Sequence, residues 1–121
     1  MPARPQIRHI AVRVADPDKV SEFLQRVFAM EVAKKTPRGT IFMTDGYINV
    51  ALLAPRPGHA NGINHFGFLV ESLDPIRTHT PVEAAEELQE GGRSPGQHSE
   101  YVIHDPEGNR IDAAVEMWPI K

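Results

Sequence analysis

The stretch IRHIAVRV, residues 7–14, returns as INHFGFLV at residues 63–70. Ile7 matches Ile63, His9 matches His65 and Val14 matches Val70. In the first copy Ile10, Val12 and Val14 alternate with His9, Ala11 and Arg13, the two-residue period of a strand with one buried face. In the second, Phe66 and Phe68 alternate with His65. A strand that recurs with its histidine in the same place says that the chain builds one unit twice.

The sequence that follows each copy supports this reading. After the first comes ADPDKVSEFLQRVFAM, residues 15–30. Asp16 is a natural N-cap, Pro17 suits the first helical position and Asp18 suits the positive end of the helix dipole. Val20, Phe23, Leu24, Val27 and Phe28 form an apolar stripe at helical spacing. Ala29 stands at the helix end, where a left-handed backbone would disfavour any residue with a Cβ. EVAKKT, TIFMT and YINVALL then read as three short strands joined by turns at PRG and DG. APRPGHANG, residues 54–62, carries Pro and Gly without apolar period and reads as a linker.

After the second copy the helix signal is weaker. LDPIRTHTP is interrupted by Pro, which places the helix start at Thr80, with Pro81 at the first helical position and Glu83 closing a capping box. Val82, Ala85 and Leu88 give it a short apolar face, and Gly91-Gly92 ends it. EYVIH reads as a strand, DPEGN as a turn and RIDAAVEMW as the last strand. The expected fold is α+β. Two tandem βαβββ modules, module 1 at about 7–53 and module 2 at about 63–117, make one domain over residues 1–121. Their curved sheet would keep one face for helices and the other for a cleft.

Bulk composition narrows the function. The 121 residues are 40% apolar and 24% charged, enough for an ordinary core. Net charge is -3 and no Lys/Arg stripe appears, so nucleic acid and anionic membranes are not expected partners. The absence of cysteine excludes disulfides, zinc–thiolate sites and a Cys nucleophile. No leader-like or membrane-spanning run is seen, and a cytoplasmic location is expected.

The chemistry concentrates on the face opposite the helices. His9 and His65 share it at matched positions. Aligning YINVALL with RIDAAVE by their isoleucines, Ile48 and Ile111, matches Asn49 with Asp112. Two imidazoles and one carboxylate form the donor set that holds a divalent first-row metal (Fe, Mn, Ni or Zn) and leaves positions open for a substrate. Asn49 would add a weak carbonyl ligand or hold a bound water. Glu116 is the alternative acid on the same strand, but four residues put it about 13 Å further along. His104 and Tyr101 are candidate catalytic groups, His104 to move protons and Tyr101 to meet a substrate oxygen. Arg13 shares the His9 face and either meets a substrate carboxylate or forms a rim. His59, His79 and His98 fall in loops and are expected to be solvated. Trp118 is placed to pack across a dimer seam.

HIAVRVADPDKVSEFLQRVF, INHFGFLVESL and HDPEGNRIDAA together resemble the vicinal oxygen chelate superfamily, which includes glyoxalase I, bleomycin-resistance proteins, methylmalonyl-CoA epimerase and extradiol dioxygenases. The resemblance covers nearly the whole chain. It implies paired βαβββ modules, a homodimer, a small-molecule substrate with vicinal oxygens and one divalent metal per site. The ligands it implies are His9, His65 and Asp112, with Asn49 at a second-quarter position that varies among members. Two departures stand out. The final acid is Asp rather than Glu, and position 49 has no Glu, which counts against glyoxalase I proper. The expected function is a metal-dependent dioxygenase-like or epimerase/lyase-like enzyme. The alternative is a bleomycin-resistance type of binding protein without catalysis.

Overall fold

The computed structural model describes residues 4–80, 89–90 and 101–115, the pair 89–90 by backbone alone. The chain divides into two compact units, one of residues 9–64 and the other of residue 65 onward with the described residues 4–8. Glu116, Trp118, His98 and the helix expected after Thr80 lie outside the described residues.

In the first unit the elements follow the order read from the sequence. Strand β1 (Gln6–Arg13), from His9 on, leads to helix α1 (Pro17–Phe28), then to β2 (Glu31–Lys35), β3 (Ile41–Thr44) and β4 (Asn49–Leu53). The strands lie in the order β2-β3-β4-β1, with β1 parallel to β4 and the remaining pairs antiparallel. Asp16 caps α1 as expected, its carboxylate accepting from the Lys19 N–H at 3.1 Å. At the other end Ala29 is left-handed, at φ 57°. The Ala29 and Met30 N–H groups there reach back to Gln25 and Leu24, which closes the helix.

The core of this unit is Ile41, Met43 and Leu52, packed against Val14, Val20, Leu24, Met30 and Val50. The strand pairings put Ile41 beside Leu52 and Met43 beside Val50, so one sheet face carries the core. Only part of the α1 stripe is used. Val20 and Leu24 reach the core, whereas Phe23, Val27 and Phe28 are exposed, Phe23 and Phe28 meeting edge to face. Periodicity fixes which residues share a stripe, but the width that a small sheet covers is set by packing.

The second unit holds β5 (Gly62–Leu69) from His65 on, α2 (Asp74–His79), β6 (Gln89–Glu90), β7 (Tyr101–His104) and β8 (Arg110–Ala114). The strand order is β5-β8-β7-β6, again with one parallel pair, β5 and β8. The structure adds one helix where the sequence reading had none, and corrects the reading of Gln89–Glu90. Helix α2 starts at Asp74, with Pro75 in its first turn, and Thr80 follows it in extended backbone. The interrupting Pro75 is thus a helix-starting one, since its missing N–H falls where no intrahelical partner exists. The backbone of Gln89 and Glu90, read as helix, pairs with β7 as strand.

The DPEGN turn between β7 and β8 is built by its residue types. Asp105 Oδ1 accepts from the backbone N–H of Glu107 and of Asn109, each at 2.8 Å. Its Oδ2 accepts from the Asn109 amide at 2.9 Å. Gly108 takes φ 87°, a region costly to residues with a Cβ. These bonds hold Asp105 below its ordinary value of 3.8, the Asn109 side chain being the largest cause and the backbone N–H groups adding to it. The turn sets which β7 residue faces which β8 residue, and hence the functional face.

Candidate metal-ligand residues

In the second unit β5 and β8 pair His65 with Arg110 and Gly67 with Asp112. Paired and alternate residues share a face, so His65, Arg110 and Asp112 project together. Strand β7 adds His104 opposite Arg110 and Val102 opposite Asp112. His65 Nε2 lies 3.3 Å from Asp112 Oδ2, the ring 11% exposed and the carboxylate 0% exposed. Gly67, the residue paired with Asp112, is itself buried.

Asp112 is held from a second side. Arg110 Nε donates to its Oδ1 at 2.8 Å and Arg110 Nη2 to its Oδ2 at 2.9 Å, a side-on fork that fixes the carboxylate plane. Sequence reasoning passes over Arg110, although its signal is present: the alternation that puts Asp112 on the histidine face puts Arg110 there too.

In the first unit His9 pairs with Asn49 and Ala11 with Ala51. All four are buried. Thr44, opposite Asn49, hydrogen-bonds the turn at Ile48 and Gly46, which closes that end of the sheet. Arg13, further along the His9 face, donates from Nη1 to the Ala54 carbonyl at 2.7 Å.

These pairings correct the internal alignment. His9 faces Asn49 where His65 faces Arg110. Asn49 therefore corresponds to Arg110, and the residue that corresponds to Asp112 is Ala51. Matching Ile48 with Ile111 slips the comparison by two residues, because a strand keeps the same face under a two-residue shift and alternation cannot detect it. The first unit has a methyl group where the second has a carboxylate.

Tyr101 pairs with Ala113, on the face away from Asp112. Its hydroxyl takes a hydrogen bond from Arg77 of α2, whose guanidinium stacks over the ring at 4.6 Å. Tyr101, expected to meet a substrate oxygen, thus stands one residue of alternation away from the face that carries Asp112. His59 and His79 are exposed, as expected for loop and helix-end histidines.

His9 in the first unit, and His65 and Asp112 in the second, are each of metal-ligand type. A family model described as the Glyoxalase/Bleomycin resistance protein/Dioxygenase superfamily matches residues 6–113. A probable trivalent organoarsenical cleaving enzyme of Bacillus subtilis (strain 168) is 31% identical over 72 residues, 59% of this chain and 49% of that protein. The match thus spans about half the length of that relative. Methylmalonyl-CoA epimerase from Mycobacterium tuberculosis superposes with a TM-score of 0.66 at 17% identity, covering 89% of this chain and 85% of that one. An extradiol ring-cleaving dioxygenase from B. fuscum superposes with a TM-score of 0.73 at 15% identity, covering 99% of this chain and 35% of that one. At these identities the two structures show a shared fold.

Proposed function

The chain belongs to the glyoxalase/bleomycin resistance protein/dioxygenase superfamily, and we propose that within it residues 1–121 form one domain of a metal-dependent enzyme acting on a small substrate with two adjacent oxygens. The observation that carries this reading is the 3.3 Å separation of His65 Nε2 and Asp112 Oδ2. Two atoms that bind one first-row ion at about 2.0–2.2 Å each stand roughly 3.0–3.5 Å apart, so the pair fits a shared cation. A buried carboxylate beside a lone-pair nitrogen is also the chemistry such an ion needs.

In this reading His9 is the third ligand, and Asn49 beside it hydrogen-bonds a ligand or bound water. The bound ion, Fe, Mn, Ni or Zn, supplies Lewis acidity to a substrate oxygen. The side chains do the rest. His104 lies across from Arg110 on the Asp112 face, where it accepts or returns a substrate proton. A three-ligand set favours dioxygenase-like or epimerase/lyase-like chemistry over that of glyoxalase I. Cleavage of trivalent organoarsenicals is not adopted, since the chain has no cysteine to offer that soft centre a thiolate. We take the protein to be cytoplasmic and a homodimer, the second reading supported by the exposed Phe23, Val27 and Phe28. No helix among the described residues is long and apolar enough to cross a membrane.

The test is metal analysis of untagged protein, followed by an anaerobic screen of catechols, acyl-CoA thioesters and 2-oxoaldehyde hemithioacetals. About one ion per chain, lost in folded His9→Ala and His65→Ala variants, is the expected result. Absence of metal together with tight binding of planar organic molecules would establish the binding-protein alternative instead.

A further inference from the structure

Asp112 is wholly buried, and a buried carboxylate requires a counter-charge. Arg110 supplies one from two positions back on the same strand, engaging both oxygens. The arginine side chain is 34% exposed, so water lies close to it. A carboxylate offers about four lone-pair sites, and the fork uses one on each oxygen. Oδ2 also faces His65 Nε2, so an ion held there would draw on the charge that Arg110 now neutralises. A divalent ion and a guanidinium gathered on one short side chain repel each other. Asp112 sits in a central strand of its unit and cannot yield, whereas Arg110 can turn its head outward with little desolvation cost.

We propose that Arg110 and the divalent ion are alternative counter-charges for Asp112. Arg110 holds the carboxylate in the metal-free protein and gives it up when the ion binds. The exchange keeps the buried acid compensated in both states and sets the affinity for metal below what the ligands alone would reach. This rests on the metal-site reading above and adds to it a positioning residue that touches no substrate.

The probe is Zn2+ alone, titrated by chelator competition into the purified chain and its variants. Arg110→Gln, which removes the charge, is expected to bind Zn2+ roughly tenfold more tightly than wild type. Arg110→Lys, which keeps the charge, is expected to stay near wild type. Equal or weaker binding by Arg110→Gln would overturn the proposal, since Arg110 would then merely align Asp112. Identical behaviour of the Lys and Gln variants would overturn it as well. Wild type alone gives a second readout should the Gln variant fail to fold. The Arg110 Nε–H resonance, assigned by its loss in Arg110→Lys, should shift when Zn2+ saturates the site, and an unmoved resonance refutes the exchange. A wild type that takes up no Zn2+ defeats the metal reading itself. That result is distinct from uptake indifferent to Arg110, which defeats only the present inference.

Discussion

Arg110 and Asp112, two residues apart on β8, meet through a double hydrogen bond of 2.8 and 2.9 Å that compensates a carboxylate with no exposed surface. The pair is intrastrand and local, and it sits on a strand that is internal to its unit. Asp112→Asn should destabilise the metal-free protein by about 1–3 kcal/mol. That is less than the loss of a fully buried pair, because Arg110 can turn to solvent. Urea unfolding measures it, and a stability equal to wild type would mean that the pair contributes nothing.

The left-handed Ala29 closes α1 at φ 57°. Glycine has no Cβ to clash there, although it also loosens the unfolded chain. Ala29→Gly is therefore expected to stabilise the protein by about 0.5–1 kcal/mol. A fall in the thermal midpoint would show that the backbone relaxes to another conformation.

Two apolar residues of the first unit should respond in opposite ways. Met43 is 0% exposed at the centre of the core, and Met43→Ala should cost about 2–5 kcal/mol through lost burial and a cavity. Phe28 is 66% exposed, and Phe28→Ala should change the stability of the monomer by less than about 0.5 kcal/mol. Dilute-solution denaturation separates the two. A large loss at Phe28 would reveal that α1 is covered in solution.

The DPEGN turn makes stability depend on pH in acid. Asp105 titrates below its ordinary value because the charged form accepts bonds from Asn109, first through the side chain and then through the backbone. A lowered carboxylate contributes stability above its unfolded value and loses it as pH falls through the folded one. The turn should therefore keep its contribution down to about pH 4 and lose it below. In Asn109→Ala the Asp105 carboxyl should rise toward 3.8, as carbon-detected NMR titration would record. An unchanged value would assign the shift to the backbone alone.

Much of this arrangement is legible in the chain. The repeat at His9 and His65, the Asp16-Pro17 helix start and the DPEGN turn are local signals that follow from dihedral preference and short hydrogen bonds, and each appears where the residues say. Alternation gives each strand its face, and the pairing of β5 and β7 with β8 brings His65, His104 and Asp112 onto a common one. The start of α2 at Asp74 is less legible, since Pro75 both interrupts a helix and begins one.

What the sequence by itself determined is periodic: which residues are strands, which share a face, and that the unit is made twice. Only the tertiary structure decided register, because shifting one strand against another by two residues preserves every face and changes every partner. That choice put Asp112 beside His65, gave Asn49 its place opposite His9, and left Ala51 where the second unit has its acid.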